Sequence, residues 1–272
     1  MSPRSTNTAI ASSSADLAPA EARLRLGLLA AWTLAGFGAW ALGTLLLLPS
    51  FRGRQVVRRT VLRGWSRGVT RLLGVRITIE GVVPEAPFFL VSNHLSYLDP
   101  VVYAARMPCR FVAKQEVRSW PVVGFLARAG GTIFIDRTMK RDAVRVLDDL
   151  GRAVGAGDGV VVFAESTSTP GHTVLPFRPA LLEWAARTGY PVHYASIAYR
   201  TPESSRPAHL AVCWWGDMTF GRHLVALCRL PRIEATIRYG DAPIAERDRK
   251  RLADRLQRAV AAQFTPVVTE RG

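Results

Sequence analysis

The rhythm of apolar and polar positions changes three times along the 272 residues. Residues 1–22 are rich in Ser, Ala and Thr without apolar periodicity, the pattern of a disordered tail. From Leu26 to Leu48 there is no charge at all. As a helix rising about 1.5 Å per residue, that run reaches about 34 Å, enough for a hydrocarbon core of about 30 Å. It is too long for a signal peptide and has no small-residue cleavage site after it. Ala31, Ala35, Ala39 and Gly43 recur every fourth residue, either as a close-packing face or because small residues are common in membrane helices. Pro49 and Ser50 break the run. Arginines then stand at 52, 54, 58, 59, 63, 67 and 71 with no acid among them. Arg59, Arg63, Arg67 and Arg71 predict one stripe on a helix, with Trp65 and aliphatic residues between. That stripe fits an interfacial helix on an anionic leaflet or a solvated helix face. Residues 23–74 therefore read as a membrane-anchoring helical region, either spanning or inserted as a one-leaflet hairpin. The excess of Arg after the apolar run places the body on the cytoplasmic side of the inner membrane.

Residues 75–272 read as an α/β domain. Short apolar runs predict strands over 75–80, 88–92, 110–113, 132–135, 160–163, 192–198, 210–215 and 233–239. Amphipathic stretches predict helices over 100–106, 121–128, 139–154, 180–187, 221–227 and 245–264. Alternation of this kind implies a mixed, largely parallel sheet flanked by helices, with functional residues at the carboxyl ends of the strands.

Composition narrows the partners. Hydrophobic residues make up 49% and charged residues 21%, so the chain packs a core. A net charge of +15, nearly all from Arg, calls for an anionic partner. The apolar N-terminal run favours a lipid bilayer, and no nucleic-acid module is recognisable. Cys109, Cys213 and Cys228 lack any paired ligand spacing and read as reduced core residues. No metal site is expected.

Three predicted strands end in chemistry. The first runs into Ser92-Asn93-His94-Leu95-Ser96-Tyr97-Leu98-Asp99-Pro100. His94 is a general-base candidate whose second ring nitrogen Asp99 can hold; equally, Asp99 before Pro100 suits a helix cap. The second block is Gly131-Thr132-Ile133-Phe134-Ile135-Asp136-Arg137, whose guanidinium can fork onto a phosphate or pair with Asp136 at the surface. The third strand ends in Ala164-Glu165-Ser166-Thr167-Ser168. Convergence at one sheet edge weighs more than any single block.

His-four residues-Asp, then Gly-x-x-Phe-Ile-Asp-Arg, then Phe-x-Glu-x-Thr, resembles the glycerolipid acyltransferases typified by the 1-acyl-sn-glycerol-3-phosphate acyltransferases. The resemblance covers roughly residues 76–199 and includes Lys114, Glu116, Pro121, Gly124 and Phe177-Arg178. It implies O-acyl transfer from acyl-CoA or acyl-carrier protein to a lysophospholipid hydroxyl, with no cofactor. By the same resemblance His94 is the base and Asp99 its support. Arg137 and Glu165 then bind the acceptor headgroup, with Thr167, Gly131, Asn93 and Lys114 as further substrate-binding positions.

Departures bear on the acceptor. Where the family usually has Pro, Gly and a basic residue in the third block, this chain has Ala164, Ser166 and Ser168, and Tyr194 replaces a Pro in the fourth. The headgroup is thus open between 1-acylglycerol-3-phosphate and another lysolipid, such as lyso-ornithine lipid or lysophosphatidylethanolamine. A non-catalytic lipid-binding protein of the same fold is the remaining alternative. His172 and His193 are further candidates to line the site, whereas His209 and His223 read as structural.

Overall fold

The computed structural model describes residues 16–136 and 140–268. Helices α1 (Pro19–Leu46) and α2 (Phe51–Leu72) form a hairpin, with the Ser50 side chain capping α2 through the Gly53 amide. Their contact face on α1 is not the every-fourth-residue set. Of that set Ala31, Ala35 and Ala39 are exposed and only Gly43 is covered; the covered positions of α1 are 22, 25, 26, 29, 33, 36, 40, 41, 43 and 44. Spacing by exactly four drifts about 40° per step, whereas alternating threes and fours stays on one side. Gly36 lies under Trp65, Gly43 against Val57, and Gly68 beneath Trp32, whose indole nitrogen donates to the Trp65 carbonyl at 3.0 Å. A methyl group on Gly68 would stand 2.1 Å from that indole nitrogen.

Beyond the hairpin, seven strands form one sheet in the order β1-β7-β6-β2-β5-β3-β4. These are β1 (Val75–Glu80), β2 (Phe89–Ser92), β3 (Cys109–Lys114), β4 (Ile133–Ile135), β5 (Gly159–Phe163), β6 (Val192–Arg200) and β7 (Ile233–Tyr239). Every neighbouring pair is parallel except β6 with β7. Alternate side chains sort to two cores. Leu90 and Val161 join α1, α2, α3 (Asp99–Arg106), α7 (Ala208–Ala211) and α8 (Phe220–Arg229). Phe89, Val91, Val160 and Val162 face α5 (Lys140–Gly155), α6 (Glu183–Thr188) and α9 (Arg249–Gln263). A short helix, α4 (Val123–Ala129), connects β3 to β4. The strand predicted over 210–215 is absent: α7 and a loop occupy it.

The hairpin is tied to the α/β domain at the start of α1 and along α2. At the start of α1 the Leu17 amide donates to the Arg229 carbonyl and Arg25 to the Leu230 carbonyl, both at 2.7 Å. Part of the arginine stripe of α2 also reaches protein partners, while Arg67 and Arg71 stay exposed. Arg58 and Arg59 meet Asp158 at 2.6 and 2.7 Å, joined there by Arg110 at 2.5 Å. Arg63 and Arg67 donate to the Arg106 and Ala105 carbonyls at 3.3 and 3.1 Å. Asp158 is fully buried. Burial opposes its charge, yet Arg58 and Arg110 outweigh this and hold its carboxyl below the usual range.

Candidate functional site

The site grows from the end of β2. This strand is wholly buried, so the chain first meets solvent at the loop carrying His94. Asn93 fastens that loop: its amide nitrogen donates to the Ile197 carbonyl at 2.9 Å and its oxygen accepts the Ile197 amide at 2.8 Å. Both ends of the Asn93 amide are thereby committed to β6.

His94 Nδ1 lies 2.8 Å from Asp99 Oδ2. The same carboxylate oxygen accepts the Leu95 and Ser96 amides at 2.7 and 3.1 Å, and Oδ1 accepts the Tyr199 hydroxyl at 2.7 Å. Asp99 is fully buried and acceptor-only, so Nδ1 carries the proton and Nε2 keeps its lone pair. Asp99 is not the helix cap. Leu98 holds that position, and the carboxylate points back into the loop. The imidazole stacks on Phe163 at the end of β5, with ring centres 4.3 Å apart. Burial and the charge of Asp99 raise the Tyr199 hydroxyl well above its ordinary pKa, keeping it a donor.

Glu165 reaches the same loop, accepting the His94 amide through Oε1 at 3.1 Å. Its Oε2 is buried with no hydrogen-bond partner. Burial pushes this carboxyl up to about 8, only partly offset by the His94 and Leu175 amides. Next to it, Ser166 has φ +68, a left-handed conformation that suits Gly, and its hydroxyl is buried without a partner. The Ser168 hydroxyl donates to the Trp214 carbonyl, while the Trp214 amide donates to the Leu95 carbonyl at 2.8 Å. Thr167 and Lys114 are exposed, Lys114 at the carboxyl end of β3.

The structure therefore brings together His94, Asp99, Glu165 and Asn93. Gly131 lies elsewhere: it precedes β4, with φ +77, against the Arg58 side chain near the amino ends of the strands. Arg137 falls outside the described residues. Neither His172, which is exposed, nor His193 on β6 has a hydrogen bond to the His94 loop among the described residues. His223 is structural, as expected, between the Tyr97 hydroxyl at 2.9 Å and the Cys213 carbonyl at 3.1 Å. Burial lowers its pKa to about 4. Cys109, Cys213 and Cys228 are buried free thiols. Tyr199 and Asp158 went unmarked in the sequence, Tyr199 because the predicted strand stopped one residue short of it.

A partly exposed imidazole with a fixed tautomer, at the carboxyl ends of parallel strands, is equipped to take a proton from a substrate. Residues 74–198 match the family model described as Acyltransferase. The chain is 35% identical over 218 residues to the lyso-ornithine lipid O-acyltransferase of Brucella abortus (strain 2308), covering 75% of this chain and 82% of that one. The Pseudomonas aeruginosa protein of the same name is 32% identical, over 88% and 93%. The 1-acyl-sn-glycerol-3-phosphate acyltransferase of Neisseria meningitidis serogroup B is 29% identical, over 79% and 82%. In fold, the chain is similar to the crystal structure of the 1-acyl-sn-glycerophosphate (LPA) acyltransferase PlsC from Thermotoga maritima. That match has a TM-score of 0.57 and 21% identity, over 87% of this chain and 95% of that one. The chain belongs to the acyltransferase family and is an O-acyltransferase.

Proposed function

We propose that this enzyme moves a fatty acyl group from a thioester of coenzyme A or acyl-carrier protein to the free hydroxyl of a single-chain membrane lipid. The observation that carries this reading is the 2.8 Å contact of His94 Nδ1 with Asp99, which leaves Nε2 free to accept. His94 takes the hydroxyl proton as the oxygen attacks the thioester carbonyl. The carbon–sulfur bond then breaks, and the departing thiolate takes the proton from the imidazolium. A general base of this kind contributes ~10²–10⁴ in rate.

A lyso-ornithine lipid is the favoured acceptor. It is supported by the names of the relatives at 35% and 32% identity, and by Ser168, which ties its hydroxyl to Trp214 and brings no cation for a phosphate monoester. 1-Acylglycerol-3-phosphate is the second reading, supported by the relative at 29%. Attachment to the cytoplasmic leaflet of the inner membrane is part of the proposal. Helix α1 is long and apolar enough to cross a bilayer, but its first turns are tied to the body at Arg229 and Leu230 and its middle packs through Phe37 on Phe125, which favours immersion in one leaflet.

The test supplies the purified full chain with labelled acyl-CoA or acyl-carrier protein and, separately, lyso-ornithine lipid, lysophosphatidic acid and lysophosphatidylethanolamine. Transfer to lyso-ornithine lipid, lost in a folded His94→Ala variant, supports the reading. Near wild-type transfer by that variant removes His94 from the base role, and transfer to lysophosphatidic acid alone selects the second acceptor.

A further inference from the structure

From the end of the β3–α4 connection into the first turn of α4, the sequence Trp120-Pro121-Val122-Val123-Gly124-Phe125 makes a compact projection. Trp120 is 36% exposed, Phe125 36% and Val122 61%. Val122 forms its tip in a three-residue turn with φ 62 and ψ −60, closed by the Val123 amide on the Pro121 carbonyl at 2.6 Å. Gly124 lets the turn fold back tightly, since a methyl group there would stand 2.4 Å from the Arg118 carbonyl. The apolar side chains are thus held outward by a rigid base.

Two relationships indicate what covers them. The Phe125 ring packs edge-on against Phe37 of α1 at 4.6 Å and near Trp40 at 6.5 Å, which makes the projection continuous with the apolar surface of α1. Leu34, 71% exposed, precedes Phe37 by three residues on that side of the helix. Arg118 and Arg128 flank the projection, Glu116 is the one acid between residues 114 and 128, and Arg128 sits over the Phe125 ring. An apolar tip with guanidiniums beside it suits acyl chains below anionic headgroups. On the other side Trp120 packs edge-on against Trp214, which hydrogen-bonds the His94 loop.

We propose that the Trp120–Val122–Phe125 projection is a second lipid-bilayer insertion point, entering the same leaflet as α1 and holding the His94 edge at the surface where a single-chain lipid is presented. This rests on the membrane attachment proposed above. The experiment uses full-length protein carrying one cysteine-linked environment-sensitive fluorophore, at Val122→Cys, at Leu34→Cys or at Arg152→Cys on α5. Each is mixed with vesicles of phosphatidylethanolamine and phosphatidylglycerol containing doxyl-labelled lipid. Quenching at Val122 and Leu34 but not Arg152 is the expected result. Quenching at Leu34 without Val122 overturns the insertion point and leaves the attachment by α1 standing. Quenching at neither overturns both. As a second readout, Val122→Asp lowers vesicle binding by about tenfold while leaving the folded circular-dichroism spectrum unchanged; unaltered binding overturns the proposal.

Discussion

Tyr199 donates its hydroxyl to Asp99 across 100 residues of sequence, at 2.7 Å, within a fully buried pocket. It holds the one carboxylate oxygen that neither His94 nor the loop amides use. Tyr199→Phe leaves that oxygen without a donor, which costs about 1–3 kcal/mol. Urea denaturation reads the loss. Because the freed carboxylate holds the imidazole less firmly, kcat falls with KM little changed; a variant with wild-type kcat would show that Tyr199 serves stability alone.

Asp99→Asn is the sharper variant for the tautomer. The amide NH₂, turned toward Nδ1, favours the proton on Nε2, where the lone pair is needed. The expected loss is ~10²–10⁴ in kcat, comparable with His94→Ala, with vesicle flotation retained. Steady-state acyl transfer by both variants checks this.

Glu165 gives a pH signature. Its folded pKa of about 8 exceeds that of the unfolded chain, so the native state binds more protons in between. The contribution of Glu165 to stability is full below about 4.5 and is lost as pH rises toward 8, by an amount on the order of a few kcal/mol. Glu165→Gln keeps the acceptor for the His94 amide and abolishes this slope. Denaturation midpoints across that range, compared with wild type, supply the measurement.

Ser166→Gly is expected to stabilise. It relieves a side chain from φ +68 and removes a buried hydroxyl without a partner. The gain is about 1 kcal/mol, read as a rise in melting temperature.

Asp158→Ala strands Arg58, Arg59 and Arg110 around an empty position. The expected cost is about 3–5 kcal/mol, with α2 becoming sensitive to limited trypsin digestion. Arg59→Glu with Arg63→Glu weakens the same joint, so its first effect is on stability.

Much of the sheet was legible because its strands obey local rules. The bounds of β1 and β7 coincide with those expected, and β2 and β5 differ by one residue. The run Leu210-Ala211-Val212-Cys213-Trp214-Trp215 misled because a short buried apolar segment has no period that separates strand from helix or loop. The His94–Asp99 pair was visible because five residues and one turn connect the two. Tyr199 was not, since only the register of β6 beside β2 brings it to Asp99. The arginine stripe was visible as a stripe, but its partner was not. Asp158 lies 99 residues from Arg59, and charge alone does not distinguish a lipid phosphate from a protein carboxylate.

The stitches from Leu17 to Arg229 and from Arg59 to Asp158 bind both arms of the hairpin to one body. Under the one-leaflet attachment proposed above, a helix pinned in this way has no choice of sidedness to make during synthesis. Whichever compartment releases the folded chain fixes the face it approaches. Entry into lipid then becomes a partition of a finished object, governed by surface charge and lipid composition, in place of a threading event.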